Sequence, residues 1–253
     1  MALPLPPGLT HSEVAFLCEM EMVTVVPRQR FESISLLSGD TPLLRPPHRA
    51  QLPLWLALLL KKQRRANIVP PPWLHPASLS ELIHHETKVD PAQFSAPPPP
   101  PARSDTRHPG EATRGDGAVR LSPPFLRGST AEAPAGFLPY HWLEMAETLL
   151  AHAADDMAAP AGEVRSLLRD LVEVRAAKMR ASSAQLGAVG GGFLDLTGVG
   201  AVELAENRAF VLGVVDGARR IGASAEVTRR EEEEEGGAGF GEGGEESDED
   251  MGF

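Results

Sequence analysis

The chain has 253 residues, with 24 Lys and Arg, 35 Asp and Glu, 24 Gly, 24 Pro and one Cys, and its formal net charge is -11. The charge is uneven, because residues 231–253 hold 11 acidic residues and no basic one, which leaves 24 of each sign in residues 1–230. This balance argues against a protein that coats nucleic acid by general basicity. A single cysteine excludes a disulfide framework and a cysteine-based zinc site, and it favours a reducing compartment.

The sequence contains no run of about 18 apolar residues, so it predicts no transmembrane helix and no membrane partner. The first nine residues carry three prolines and no basic residue. That composition argues against a secretory signal or a transit peptide, and we expect the chain to act in the cytosol or the nucleus.

Residues 1–51 are predicted to form a small β-containing domain. Thr10 and the glutamate three positions later have the spacing of a capping box, which opens a short helix with an apolar face. The runs at 22–26 and 34–37 are β-branched or apolar and end in turn residues, which predicts two short strands.

Residues 52–94 and 136–224 are predicted to form a helical bundle domain, which makes the chain mainly α with an α+β organisation. Pro53 suits the start of a helix that is apolar on almost every side. Ser78 and the glutamate three positions later predict a second capping box, opening a helix through about Lys88. Later helices are predicted from Pro139 to before Pro160, over 163–180 and over about 199–223.

Two segments are predicted to be disordered. Residues 95–135 contain five consecutive prolines and no periodicity, which is typical of an extended insertion. Residues 225–253 carry the acidic runs of the terminal tail, which repel one another. Ser247 lies in a Ser-Asp-Glu-Asp context and is a candidate phosphorylation site.

The helix over 163–180 carries two cations where apolar residues are expected. At 100° per residue, Arg175 and Lys178 fall inside its apolar arc. Either they extend to solvent near the helix end, or they make ion contacts with acidic groups, in another chain or in this one.

A basic cluster and two tryptophans also allow two interpretations. The cations at 61–65 either offset the negative end of a helix dipole or contact a partner or phosphate groups. Trp55 and Trp73 are either core residues or interface hot spots. The residues that we expect at a partner interface are Trp55, Leu58, Lys61, Lys62, Arg64, Arg65, Trp73, Arg175 and Lys178.

No catalytic, cofactor-binding or metal-binding site is predicted. Cys18 lies on the apolar face of its helix, which favours a structural role. His84-His85-Glu86 places adjacent side chains about 100° apart, whereas zinc-binding helices need His at i and i+4. Gly198-Val199-Gly200 is similar to a dinucleotide-binding turn, but Glu203 replaces the third glycine.

Three stretches resemble the GINS family of replication-complex subunits, in particular its second Partner-of-Sld-Five branch. They are HSEVAFLCEMEMVTVVP (11–27), LPLWLALLLKKQRRANIVPPPWL (52–74) and residues 139–180, which include LLAHAADDM and EVRSLLRDLVEVRAAKMR. The order and spacing of the stretches also agree. The resemblance covers roughly residues 8–94 and 137–222.

The resemblance implies a non-enzymatic scaffold subunit of a nuclear heterotetramer with three sibling GINS chains. In that family the tetramer joins the MCM helicase hexamer and a RecJ-like helicase factor for the initiation and fork progression of DNA replication, and it helps to seat the replicative polymerase. Two alternatives stay open: a nucleic-acid-binding protein that uses Lys61 to Arg65, and a nucleotide-dependent enzyme at Gly198-Val199-Gly200. Whether the chain touches DNA directly is also open.

Overall fold

The computed structural model describes residues 9–37, 39–99, 133–185 and 196–237. Most of the predicted insertion, residues 100–132, and the end of the tail, residues 238–253, lie outside the described residues. The predicted phosphorylation site Ser247 is among these. Within the described ranges the chain is mainly helical and has a small sheet near its start, as predicted.

The small domain begins with α1 and a three-stranded antiparallel sheet. The predicted capping box is present, because the backbone N–H of Thr10 donates to Glu13 Oε2 at 2.7 Å and the Thr10 side chain accepts from the Glu13 N–H. The strand order is β4-β1-β5, and Val25 of β1 lies opposite Ala50 and Ile68. The elements are α1 (His11–Cys18), β1 (Met22–Pro27), the hairpin β2 (Ser35–Leu36) and β3 (Gly39–Asp40), β4 (Ala50–Pro53), α2 (Leu54–Lys62) and β5 (Ala66–Ile68).

The sheet continues beyond the domain boundary predicted at residue 51. Alternate side chains of β1 are buried, and β1 has two edges that need hydrogen-bonding partners. β4 fills one edge and β5 fills the other, with α2 between them in the chain. We therefore place the boundary after Ile68 rather than before α2.

Among the described residues, the helical domain contains four α-helices of 9 to 37 residues. A continuous apolar core runs from the small domain into this bundle. None of the helices in the described ranges has the length and apolar character needed to cross a membrane. The elements are a 3-10 turn at Pro72–Leu74, α3 (Pro76–His84), a π-helical turn at His85–Val89, α4 (Trp142–His152), a 3-10 turn at Ala154–Asp156, α5 (Ala161–Gln185) and α6 (Ala201–Gly237).

The predicted capping box at Ser78 is wrong. α3 begins at Pro76, and the side chain of His75 caps it by accepting the N–H of Ala77 at 3.3 Å. Proline suits the first helical position, because the backbone N–H at that position has no acceptor within the helix and its absence costs no hydrogen bond. Ser78 is buried instead, and its hydroxyl accepts the N–H of Gly136 at 3.2 Å.

The predicted disorder is also wrong at the edges of both segments. Ser95 and Ala133, at the two ends of the predicted insertion, are buried against the folded domain. The terminal helix continues to Gly237 instead of ending near residue 223. Ion pairs at i,i+4 spacing, Arg229 with Glu233 and Arg230 with Glu226, favour this extension.

Candidate protein interface

Arg175 lies at the centre of a buried ion network. It occupies the buried stripe of α5, which follows Val164, Leu168 and Leu171, and it is 1% exposed. Its guanidinium donates from Nη1 to Glu86 Oε1 and from Nε to Glu203 Oε1, each at 2.6 Å. Nη2 donates to the Gly198 carbonyl at 2.7 Å. One side chain therefore joins α5, the π-helical turn, the loop before α6 and α6 itself.

Lys178 extends the network by one turn of α5. Its Nζ donates to the carbonyls of Asp90 at 2.9 Å and Gln93 at 2.5 Å, and lies 3.5 Å from Glu86 Oε2. Burial raises the pKa of Glu86, but the charge of Arg175 and the hydrogen bonds from Ser95 lower it more, so the pKa lies below its ordinary value. Glu86 is therefore an ionised carboxylate inside the protein.

Three residues predicted at a partner interface lie inside this chain. The cations of Arg175 and Lys178 find their acidic partners within the chain, and the explanation that they extend to solvent is wrong because both are buried. Trp73 is completely buried in the core. A buried side chain cannot form an interface without unfolding its surroundings, so we remove these three residues from the candidate interface.

Lys61 is also engaged within the chain. Its Nζ lies 2.7 Å from carboxylate oxygens of both Asp155 and Asp156. Burial lowers the pKa of Lys61, but these hydrogen bonds raise it more, so the net shift is upward. Asp156 Oδ2 also accepts the N–H of Ile68 at 2.7 Å, which covers the outer edge of β5. Lys61 thus ties the small domain to the bundle.

The other predicted interface residues keep part of their surface free. Trp55 and Leu58 are half-buried and pack against the core from α2. Lys62, Arg64 and Arg65 are exposed. A contact between these residues and a partner remains a prediction.

The two glycines of the suspected nucleotide turn have internal roles. The Gly198 carbonyl accepts from Arg175, and the Gly200 N–H donates to Glu203 Oε2 at 2.7 Å. A side chain of this protein therefore occupies the position at the helix start where a phosphate would bind. Glu203, which stands where the motif has its third glycine, is a member of this network.

The remaining chemical candidates are also occupied. Glu86 of the His84-His85-Glu86 sequence pairs with Arg175. Cys18 is buried, and burial, with additional repulsion from Glu144, raises the pKa of its thiol well above the ordinary range. Such a thiol stays protonated and is a poor nucleophile.

The first turn of α6 is anchored firmly. Ala201 and Val202 pack with Val14 of α1, and the Ala201 N–H donates to the carbonyl of Tyr140 at 2.8 Å. After Glu203, no α6 side chain that the structure describes is buried. Most of this helix therefore lies outside the core of its own chain.

The uncovered part of α6 carries an apolar face. At 100° per residue, seven apolar side chains of residues 204–221 fall within an arc of about 140° that contains no charged residue over 204–228, while Leu212 and Val227 lie outside this arc. Phe210 is 39% exposed and Ile221 is 73% exposed. We call this face the α6 stripe; it consists of Leu204, Phe210, Val211, Val214, Val215, Ala218 and Ile221.

A second apolar surface lies on α1. The apolar face predicted for this helix is only partly correct, because Val14 and Cys18 are buried whereas Phe16, Leu17 and Met20 are exposed by 69%, 48% and 62%. The buried pair already covers the side that faces the bundle. Phe16, Leu17 and Met20 form a surface that the described residues do not cover.

Sequence analysis missed the acidic members of the buried network. Glu86 follows Leu79 and Leu82 at i, i+3 and i+7, which is the spacing of the buried face of α3. A carboxylate at such a position signals a buried cation elsewhere, just as Arg175 on α5 signals a buried anion. Considering the two positions together would have predicted an ion pair between Glu86 and Arg175.

Comparisons with known proteins match both halves of the chain. Residues 10–69 match the PSF2 N-terminal domain, and residues 73–222 match the GINS complex protein helical bundle domain. The chain is 68% identical to "DNA replication complex GINS protein psf2" of Neurospora crassa and 67% identical to its counterpart in Gibberella zeae, each over all of both chains. It is 51% identical to the counterpart in Aspergillus oryzae, over 92% of each chain. The chain therefore belongs to the PSF2 branch of the GINS family of DNA replication complex proteins.

Proposed function

We propose that the chain is a non-enzymatic scaffold subunit of a heterotetrameric GINS complex and assembles with three sibling GINS subunits. The observation that carries the proposal is the α6 stripe, an uncharged apolar face on a helix whose start is fixed by the buried network. An amphipathic helix gains most of its stability by packing that face. Because the described part of this chain does not cover the stripe, a sibling helix is its proposed partner.

Within this proposal, the tetramer acts in the nucleus on the replicative helicase. It joins the MCM helicase hexamer and a RecJ-like factor, serves initiation and fork progression, and helps to seat the replicative polymerase. The names of the relatives, which are DNA replication complex GINS proteins, support the role in DNA replication, and the further partners are taken from the family resemblance. Direct contact with DNA is not part of the proposal.

The alternative of a nucleic-acid-binding protein built on Lys61 to Arg65 has no support from the comparisons. Lys61, the first cation of the cluster, is already paired with two carboxylates of this chain. The enzyme alternative at Gly198-Val199-Gly200 is not supported, because the Gly200 N–H that would bind a phosphate donates to Glu203 instead.

Co-expression with the three siblings tests the scaffold assignment. Two aspartates in the α6 stripe, Val215→Asp with Ala218→Asp, place charges where a partner helix must pack. We expect the amount of sibling subunits that co-purifies with this variant to fall at least about tenfold. The reason is that each buried unpaired charge costs several kcal/mol of binding free energy. The matched control, Ala209→Asp with Ala223→Asp, changes exposed residues on the opposite face of α6 and should co-purify normally.

The circular dichroism spectrum and melting of the isolated variants separate interface loss from misfolding. Both double variants should melt close to the parent chain, because none of the altered residues is buried: Val215 and Ala218 are half-buried, and Ala209 and Ala223 are exposed. If the stripe variant co-purifies with the siblings as well as the control does, this role of α6 is wrong.

We also propose that Ser247 is phosphorylated, which would add negative charge to an already acidic segment. The support is its sequence context alone, Ser-Asp-Glu-Asp. Intact-mass and peptide mass spectrometry of the native protein measures the modification directly, and a wholly unmodified Ser247 would contradict it.

A further inference from the structure

Exposed cations collect at one end of the small sheet, where β1 ends and where β4 and β5 begin. The N–H of Arg28, just after β1, donates to the carbonyl of Arg65, just before β5, at 2.8 Å. Arg49 immediately precedes Ala50, which pairs with Val25 near the same end of β1. We call this surface the basic end; it consists of Arg28, Arg30, Arg45, Arg49, Lys62, Arg64 and Arg65, all of them exposed.

Among the described residues, the cations of the basic end form no ion pair within 4.0 Å, although the charge of Arg28 helps to lower the pKa of Asp155 and its Nε donates to Asn67 Oδ1 at 2.9 Å. Ten ion pairs within 4.0 Å are formed in that part of the chain, and none of them includes a member of this set. Between residues 28 and 65 the sequence has only two acidic residues, Glu32 and Asp40, and both are exposed. Seven like charges on one surface repel one another, so the surface is complementary to an anionic partner.

The backbone at Arg64 places one of these cations at a strained helix end. Arg64 has φ of 58°, the left-handed region, directly after the end of α2. Its N–H donates to the Lys61 carbonyl at 2.8 Å, and the N–H of Arg65 donates to the Leu60 carbonyl at 2.9 Å. Glycine is the usual residue at such a helix end because it adopts this conformation without strain. Arg64 is therefore more strained than glycine would be, and it presents an exposed cation at this position.

We propose that the basic end binds an acidic peptide segment of a protein partner outside the tetramer. Six of the seven cations are arginines, whose planar guanidinium groups bind carboxylates in a bidentate manner. Leu43, adjacent in sequence to the bridge at Leu44, is 40% exposed and offers an apolar contact beside the charges. Charge with a neighbouring apolar site suits a peptide that combines Asp or Glu with an apolar residue.

Two features make nucleic acid a poorer fit. Phe31 is half-buried with the Arg65 guanidinium 5.8 Å above its ring, so its face is not free to stack on a base. Except for Lys62, the last residue of α2, the cations lie at strand ends and turns rather than along one exposed helix that could enter a major groove.

The test uses the tetramer that contains the full chain, after its recovery by size exclusion, so failure of assembly is recognised before any binding is measured. The probe is a short fluorescein-labelled peptide rich in Glu and Leu, followed by fluorescence anisotropy. We expect salt-sensitive binding that weakens by about tenfold or more in Arg45→Glu with Arg49→Glu. The control, Lys88→Glu with Arg169→Glu, makes the same charge change at exposed positions outside the basic end and should bind as the parent does.

Arg64→Gly separates a binding role from a structural one. We expect this variant to raise the melting temperature, because glycine relieves the left-handed strain, and yet to weaken peptide binding. The proposal is overturned if the parent does not bind the peptide, or if the control loses binding equally. It is also overturned if a single-stranded oligonucleotide binds the same cations more tightly than the peptide, or if charge reversal at the basic end abolishes tetramer assembly.

Discussion

Arg175 concentrates a large part of the tertiary organisation in one side chain. It contacts Glu86, 89 residues earlier, and Glu203, 28 residues later. Its guanidinium also lies 4.8 Å from the ring centre of Phe94. Burying such charges costs solvation free energy that the ion pairs and hydrogen bonds must offset. The network therefore specifies which segments meet. Removing one member leaves buried charges unpaired and strongly lowers the stability of the fold.

We expect Arg175→Met to lower the free energy of unfolding by about 3–5 kcal/mol, because two buried carboxylates lose their counter-charge. The control is Arg169→Met, an exposed site on the same helix, where a change within about 0.5 kcal/mol is expected. Urea unfolding of the full chain, followed by circular dichroism, measures both. A loss below about 1 kcal/mol for Arg175→Met would show that the network is dispensable.

At the scale of elements, helices with a periodic apolar pattern could be predicted from the sequence. Short strands that depend on a neighbouring strand could not. The helix predicted over 163–180 is α5, because its buried stripe repeats at the helical period. β5 has only three residues and no period of its own, and it is a strand because β1 offers it an edge. The start of α3 was missed because two capping signals, Ser78 and Pro76, compete within three residues.

The residues of the candidate site were also predictable only in part. The stripe position of Arg175 could be read from the sequence, whereas its partners could not be assigned because they are distant in the chain. The choice between a partner in another chain and one in this chain also needed the fold. Trp73 illustrates the same limit, since a large aromatic residue has the same local sequence signature in a core and in an interface.

The entrance to α6 depends on Gly198. It has φ of +81°, and a Cβ there would collide with the carbonyl oxygen of Ser95. We expect Gly198→Ala to destabilise the chain by at least about 1 kcal/mol, since alanine is strained in this conformation and the neighbouring backbone must move. Gly213→Ala is the matched change inside α6, where no atom lies within 4 Å of the added methyl group. It should be neutral or stabilise the helix by up to about 1 kcal/mol.

Thermal unfolding of the two alanine variants gives the comparison directly. Equal melting temperatures would show that the close approach between Gly198 and Ser95 does not matter for stability. A strongly destabilised Gly213→Ala would show that α6 packs against something at that position.

At the scale of the whole molecule, a well-packed body supports a helix that it does not cover. The core joins the small sheet to the bundle, and Lys61 with Asp156 reinforces that junction. After Glu203 no described side chain of α6 is buried, and its 37 residues would extend over about 55 Å. α6 is thus fixed at its start and largely uncovered beyond it, which suits a subunit that packs this helix against other chains.

Hydrogen exchange should reveal this division. The exposed part of α6 contains Gly213, Gly217 and Gly222, each of which lowers helix stability by about 1 kcal/mol relative to alanine. Without tertiary contacts such a helix opens readily. In the isolated chain we expect the amides of 206–227 to exchange at least about tenfold faster than those of α5 at 164–179, and to become protected when the sibling subunits bind. Equal protection of the two helices in the isolated chain would mean that α6 has found a partner surface without the siblings.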